Sequence, residues 1–100
     1  MASRITARDV DVLNTAATLI APADPQRRIM LVFNNGPNPI YVGPSGVTTA
    51  TGFKVPNGEA MPPIYYSVGD QSVGEAWYAI ADTADQSGTA NTRVLETFAK

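Results

Sequence analysis

The chain has 100 residues, of which 44% are apolar and 16% charged, with 8 glycines and 8 prolines. That is the length of one small domain, and so few charges beside an ordinary apolar content argue against a disordered chain. Seven basic residues against nine acidic ones leave a net charge of −2, which offers nucleic acid no dense positive field.

Neither His nor Cys occurs in the chain. Their absence excludes thiol and imidazole nucleophiles and every zinc site built on nitrogen or sulfur. It also excludes disulfides, the usual staple of small secreted domains. An unstapled domain of this size gains stability by docking on partner chains. Met1-Ala2-Ser3-Arg4 leads into mixed polar sequence, so neither a signal peptide nor a membrane span is expected. The expectation is a protein made in the cytosol, or carried away in an assembly built there.

Eight apolar stretches succeed one another, separated by turn-forming residues. Arg4 to Leu13 is the first, with Val10 and Val12 alternating against Asp9 and Asp11. Thr15 to Ile20 follows and stops at Ala21-Pro22-Ala23-Asp24-Pro25, where two prolines forbid ladder hydrogen bonds. Arg28 to Phe33 is nearly all apolar, which fits a central strand or one covered on both faces. Asn34 to Pro39 makes a turn, with Asn35-Gly36 expected at positive φ, and Ile40-Tyr41-Val42-Gly43 returns as the second arm of a hairpin. Pro44 to Thr51 is small and polar and reads as an exposed loop. Gly52 to Val55, Pro62 to Val68 and Glu75 to Ala81 are further short strands. Asp82 to Thr92 is a second polar loop, and Asn91 to Phe98 closes the chain.

No segment keeps a helical apolar face for three turns. Short strands with Gly, Pro and Asn between them predict an all-β fold. The expected architecture is a single antiparallel β-sandwich, or a jelly-roll-like small barrel, of about seven or eight short strands. Its domain covers residues 13–100, preceded by an extended N-terminal arm over residues 1–12. The expected core is Ile29, Leu31, Phe33, Val42, Phe53, Trp77 and Val94.

An enzyme without His or Cys would turn to paired carboxylates. Asp9 and Asp11 point to one face of a strand, and Asp82 and Asp85 share a polar loop with no apolar enclosure to shift a pKa. The stretch Asp82 to Gly88 has some oxygens of a calcium loop but not its spacing. The scattered glycines form neither a dinucleotide nor a Walker-type loop and mark turns instead. No cofactor, metal or catalytic residue is therefore expected. Arg27-Arg28, the one adjacent basic pair, reads either as a clamp for an acidic partner groove or as solvated sequence. Tyr65-Tyr66 and Trp77-Tyr78 must each send one ring to either face of a strand. The outward members read as a binding patch, a shallow sugar-stacking surface or plain surface.

The order of motifs is similar to that of small β-sandwich virion proteins of tailed bacteriophages, of the head-decoration or fibre-associated kind. The residues that carry the likeness begin with Arg28-Ile29-Met30-Leu31-Val32-Phe33-Asn34 and Ile40-Tyr41-Val42-Gly43. Gly52-Phe53, Pro56-Asn57-Gly58-Glu59, Trp77-Tyr78-Ala79-Ile80-Ala81 and Val94-Leu95-Glu96-Thr97 complete it. The likeness spans roughly residues 13–98 and rests on turn and strand motifs. It implies a non-enzymatic capsid decoration or cement protein in the virion, made in the host cytoplasm. The implied partners are the major capsid protein or other virion subunits and further copies of itself, as in a trimer, with no nucleic acid and no membrane. A fibre-base or tail module, a carbohydrate- or receptor-binding domain, and a carboxylate enzyme are the competing readings. The partner-binding residues expected are Ile5, Val10, Val12 and Leu13 of the arm, with Arg27, Arg28, Tyr65 and Tyr66. In this reading the arm adds as a strand to a neighbour's sheet edge.

Overall fold

The computed structural model describes residues 4–82 and 91–99. Eight strands are found among them: β1 Arg4–Val10, β2 Thr18–Ala21, β3 Arg27–Asn34, β4 Ile40–Gly43, β5 Phe53–Val55, β6 Ile64–Tyr65, β7 Trp77–Ala81 and β8 Thr92–Phe98. They build two antiparallel sheets of four strands, in the orders β1-β8-β3-β6 and β2-β7-β4-β5. The sheets face one another as an all-β sandwich. Ser72–Gly74 forms a single 3-10 turn.

Alternation sets the core wherever a strand is regular, because successive side chains point to opposite faces. On β8, Thr92, Val94, Glu96 and Phe98 are buried while Arg93 and Leu95 are exposed. Met30 and Val32 from β3, Ile40 and Val42 from β4, Val55 from β5, and Ala79 and Ala81 from β7 meet Val94 in the interior. Val12, Ile20 and Val73 close the ends of this cluster. Val42 and Val94 were both expected in the core.

Four of the other expected core residues lie elsewhere. Ile29, Leu31 and Phe33 are half-buried on the outer face of β3, because Met30, Val32 and Asn34 take the inward positions. The run is apolar at every position, so no alternation in it reveals its parity. A register shift between Arg27 and Ile29 accommodates an extra residue, which lets Arg27 point inward as well. Phe53 is 53% exposed, at the start of an edge strand. Trp77 is half-buried and packs against the core from its margin.

One connection also departs from expectation. β3 and β4 are not a hairpin: β3 pairs with β8 and β6, and β4 with β7 and β5, so the intervening turn carries the chain from one sheet to the other. Asn34 holds that crossing. Its amide donates to the carbonyls of Asn38 at 2.8 Å and Val55 at 2.9 Å, and its Oδ1 accepts the N–H of Gly36 at 2.9 Å. The Asx bond turns the chain, and among the described glycines the positive φ values fall at Gly46 and Gly58 and not at Gly36. Asn34→Ala should strand these buried groups and cost about 1–3 kcal/mol in a urea melt.

The segment expected to leave the domain as an arm is also part of the sandwich from Arg4 onward. Arg4–Val10 pairs with β8 of the same chain through the whole strand, from Arg4 opposite Phe98 to Val10 opposite Thr92. Val12 is fully buried, and the Asn91 side chain clasps its backbone by accepting its N–H at 2.9 Å and donating to its carbonyl at 3.2 Å. A strand edge is satisfied by whichever partner lies nearest, and β8 is tethered in the same molecule.

Candidate functional site

The two sandwich faces that point away from the core differ. Over the second sheet, the loop after β4 folds back: Val47 is 4% exposed and nests against Gly43 and Gly52. A Cβ at Gly52 would stand 2.7 Å from the Val47 side chain and 2.8 Å from Tyr41. Glycine is required there by close approach. The loop expected to be wholly exposed thus buries one valine on that face.

Over the first sheet, the outer face carries three rows of side chains set by the strand register, apolar except for Thr97 and the pair of Asp9 and Arg93. Ile5, Thr97, Ile29 and Tyr65 lie side by side on β1, β8, β3 and β6. The next row is Ala7, Leu95 and Leu31, and the third is Asp9, Arg93 and Phe33. Ile5 is 70% exposed, Tyr65 63% and Leu95 45%, with Ile29, Leu31 and Phe33 half-buried between them. Among the described residues its one ion pair, Arg93 Nε to Asp9 Oδ1 at 3.4 Å, sits at the end of the third row. With four strands about 4.8 Å apart, this is a largely apolar surface spanning roughly 14 Å between its outer strands. Contiguous exposed apolar surface of this kind is a candidate docking surface for a protein, a membrane or a ligand.

The eight residues expected to bind partners separate accordingly. Ile5 and Tyr65 stand at opposite ends of one row of this face. Leu13 is exposed beyond β1, its carbonyl accepting the Ala81 N–H at 3.0 Å. Val10 and Tyr66 pack against the core and Val12 lies within it. Arg28 lies over the Tyr66 ring at 4.1 Å and donates to the Pro25 carbonyl at 2.9 Å, which holds it to its own chain.

Arg27 is not a surface clamp. It is fully buried, its Nε 2.8 Å from Glu96 Oε2, and Glu96 is fully buried too. Its Nη1 donates to the carbonyls of Val73 at 2.8 Å and Glu75 at 3.0 Å, and its Nη2 to that of Pro22. The second Glu96 oxygen accepts from Arg8 Nε and from the Thr6 hydroxyl, each at 2.9 Å. Phe98 lies beneath two cations, Arg4 at 4.0 Å and Arg27 at 5.7 Å from its ring centre. A guanidinium with a partner on each of its three nitrogens and a carboxylate with a partner on each oxygen make a structural knot, because burying either charge alone is prohibitive.

The carboxylates considered for catalysis are also dispersed. Asp9 pairs with Arg93, and Asp11 accepts from the Asn91 amide at 3.0 Å. Asp82 is exposed, and Asp85 and most of the proposed calcium loop lie outside the described residues. Asp70 is held below the usual carboxylate range by hydrogen bonds from Ser72, from its side chain first and its backbone second. Among the described residues no cluster of three acidic groups suited to a metal ion occurs. Trp77 lines a shallow depression of about 140 Å³ with Pro44, Ser72, Glu75 and Ala76, and its indole N–H donates to the Ser72 carbonyl at 3.2 Å.

The sequence reading did not include Ile29, Leu31, Phe33 and Leu95 in the site. The first three were assigned to the core from an unbroken apolar run, although such a run necessarily places apolar residues on both faces. Compared with protein-family models, curated proteins and solved structures, the chain matches none.

Proposed function

We propose that the protein is a non-enzymatic structural subunit of a tailed-phage virion, bound in many copies to the outside of the head as a decoration protein. The observation that carries this reading is the apolar outer face of the β1-β8-β3-β6 sheet, centred on Leu31 and Leu95. A rigid sheet face loses little conformational entropy on docking, and burying it adds to the stability of a small, unstapled domain. The likeness of the strand and turn motifs to head-decoration and fibre-associated virion proteins supplies the class of partner, a virion subunit, and the reading takes the major capsid protein as that subunit. Among the described residues the face carries a single ion pair, so attachment rests on packing more than on charge steering.

The test is co-sedimentation with purified phage heads prepared without this protein. The intact chain should bind saturably, in many copies per head and with little dependence on salt. Leu31→Lys combined with Leu95→Lys should weaken binding by at least about 100-fold, since two charges would be desolvated in the contact. Equal binding by this variant would remove the face from the reading. If the intact chain binds no heads but binds glycans in a manner lost in Trp77→Ala, the protein is a carbohydrate-binding module. Deleting residues 1–12 is no test of attachment, because it removes β1 and the buried Val12 together.

A further inference from the structure

We propose that β1 is a self-association edge, at which two copies of the chain pair β1 against β1 about a two-fold axis through Ala7. The first sheets of the two copies then join into one sheet of eight strands. β1 is an outer strand bonded to β8 on one side, so alternate backbone N–H and C=O groups along Arg4–Val10 face away from its own sheet. Sheet edges left in this state template another strand unless something blocks them.

The other edges are blocked. β6 has two residues and follows Pro62-Pro63, β5 has three and ends at Pro56, and β2 has four with a register shift and ends at Pro22. β1 has seven residues, an unshifted register, and neither Pro nor Lys. Its charged side chains are held within the chain, Arg4 by Asp24, Arg8 by Glu96 and Asp9 by Arg93, so among the described edges it is the longest and most regular.

Charge and strand length together narrow the register. A two-fold axis normal to the sheet must bring residues of the same face opposite one another. Centred on Thr6, the pairing would set Arg4 against Arg8 of the second copy. Centred on Arg8, it would set Arg8 against itself. Centred on Ala7, all seven residues pair: Arg4 with Val10, Ile5 with Asp9, Thr6 with Arg8, and Ala7 with Ala7. No like charges then stand directly opposite, which is the arrangement cross-strand energetics favour. The small Ala7 on the axis lets the strands approach. Outside, the row Leu31-Leu95-Ala7 runs unbroken into its copy, so pairing doubles the length of the apolar face.

A contact between seven-residue edges is smaller than the standard interface of about 800 Å² per partner. The dimer is therefore a reversible one that forms as concentration rises. This inference concerns the free protein and stands or falls separately from binding to heads.

Sedimentation equilibrium on the intact chain, up to about 1 mM, tests it. A monomer–dimer equilibrium is expected, with amide-exchange protection of Arg4–Val10 rising with concentration. Ala7→Lys and Ala7→Glu each place like charges opposite on the axis and should weaken the dimer at least about tenfold. Ala7 is exposed, so neither change disturbs the core. Mixing the two variants in equal amounts should restore association, as a heterodimer. Leu95→Lys should leave the dimer intact, because the two copies of that residue are roughly 14 Å apart across three strand spacings. The proposal is overturned by a chain that stays monomeric, by a trimer, or by exchange protection that ignores concentration. A dimer lost in Leu95→Lys but kept in Ala7→Lys would overturn it too, as stacking of the sheet faces.

Discussion

Arg27→Ala should lower the stability of the domain by about 3–5 kcal/mol, the cost of leaving a buried charge without its partner. Against a total stability of about 5–15 kcal/mol for a domain of this kind, that is a large fraction. At roughly 4–8 °C per kcal/mol for 100 residues, Tm should fall by at least about 12 °C. The reason lies in what the side chain leaves behind. Glu96 stays fully buried with its carboxylate facing the vacated space, and the carbonyls of Pro22, Val73 and Glu75 lose a common donor. Arg8→Ala removes the other cation on Glu96, but Arg8 is 36% exposed and solvent screens it. Its loss should cost no more than about 1 kcal/mol. Replacing Arg27 by Met and Glu96 by Leu together should recover part of the loss, since no charge is then stranded. Urea and thermal melts of the three variants check the ordering. An Arg27→Ala protein within about 1 kcal/mol of the intact chain would contradict it.

Met30→Ala and Leu31→Ala are neighbouring deletions of similar size, and they should differ several-fold in cost. Met30 is fully buried among the inner residues of both sheets. Its truncation leaves a cavity that close-packed neighbours fill only in part, at about 2–5 kcal/mol. Leu31 lies half-buried on the outer face, where water replaces the lost atoms, and about 1 kcal/mol or less is expected. The same pair separates folding from docking: Leu31→Ala should weaken binding to phage heads while leaving the urea midpoint nearly unchanged. Equal destabilisation by the two would mean that the strand presents both faces to the interior.

The contrast between these residues shows where sequence patterns inform and where they do not. Strand-length apolar runs punctuated by Pro, Gly and Asn announce an all-β domain, and alternation on β8 reveals its inward face, because polar residues interleave there. The two-residue period requires Tyr65 and Tyr66 to face opposite ways but does not say which faces out, and only sheet pairing places Tyr65 and Ile5 on the candidate surface. The rest of that surface was not legible either. Arg28 to Phe33 has no polar residue to mark its outside, so Leu31 and Met30 are indistinguishable until a second sheet covers one of them.

Three further features belong to tertiary structure for the same reason, that the deciding partner is distant in the chain. Arg27 is hidden because Glu96, far along the sequence, arrives on the adjacent strand with a complementary charge. β3 and β4 part company after a turn that resembles a hairpin, because their bonding partners β8 and β7 belong to different sheets. Residues 4–10 join their own molecule because β8, at the other end of the chain, leaves an edge open beside them. Local sequence determined that this protein is built of short strands and which of its segments turn. Which face of each strand meets water was decided by long-range pairing, since a strand's two faces differ only in what is packed against them.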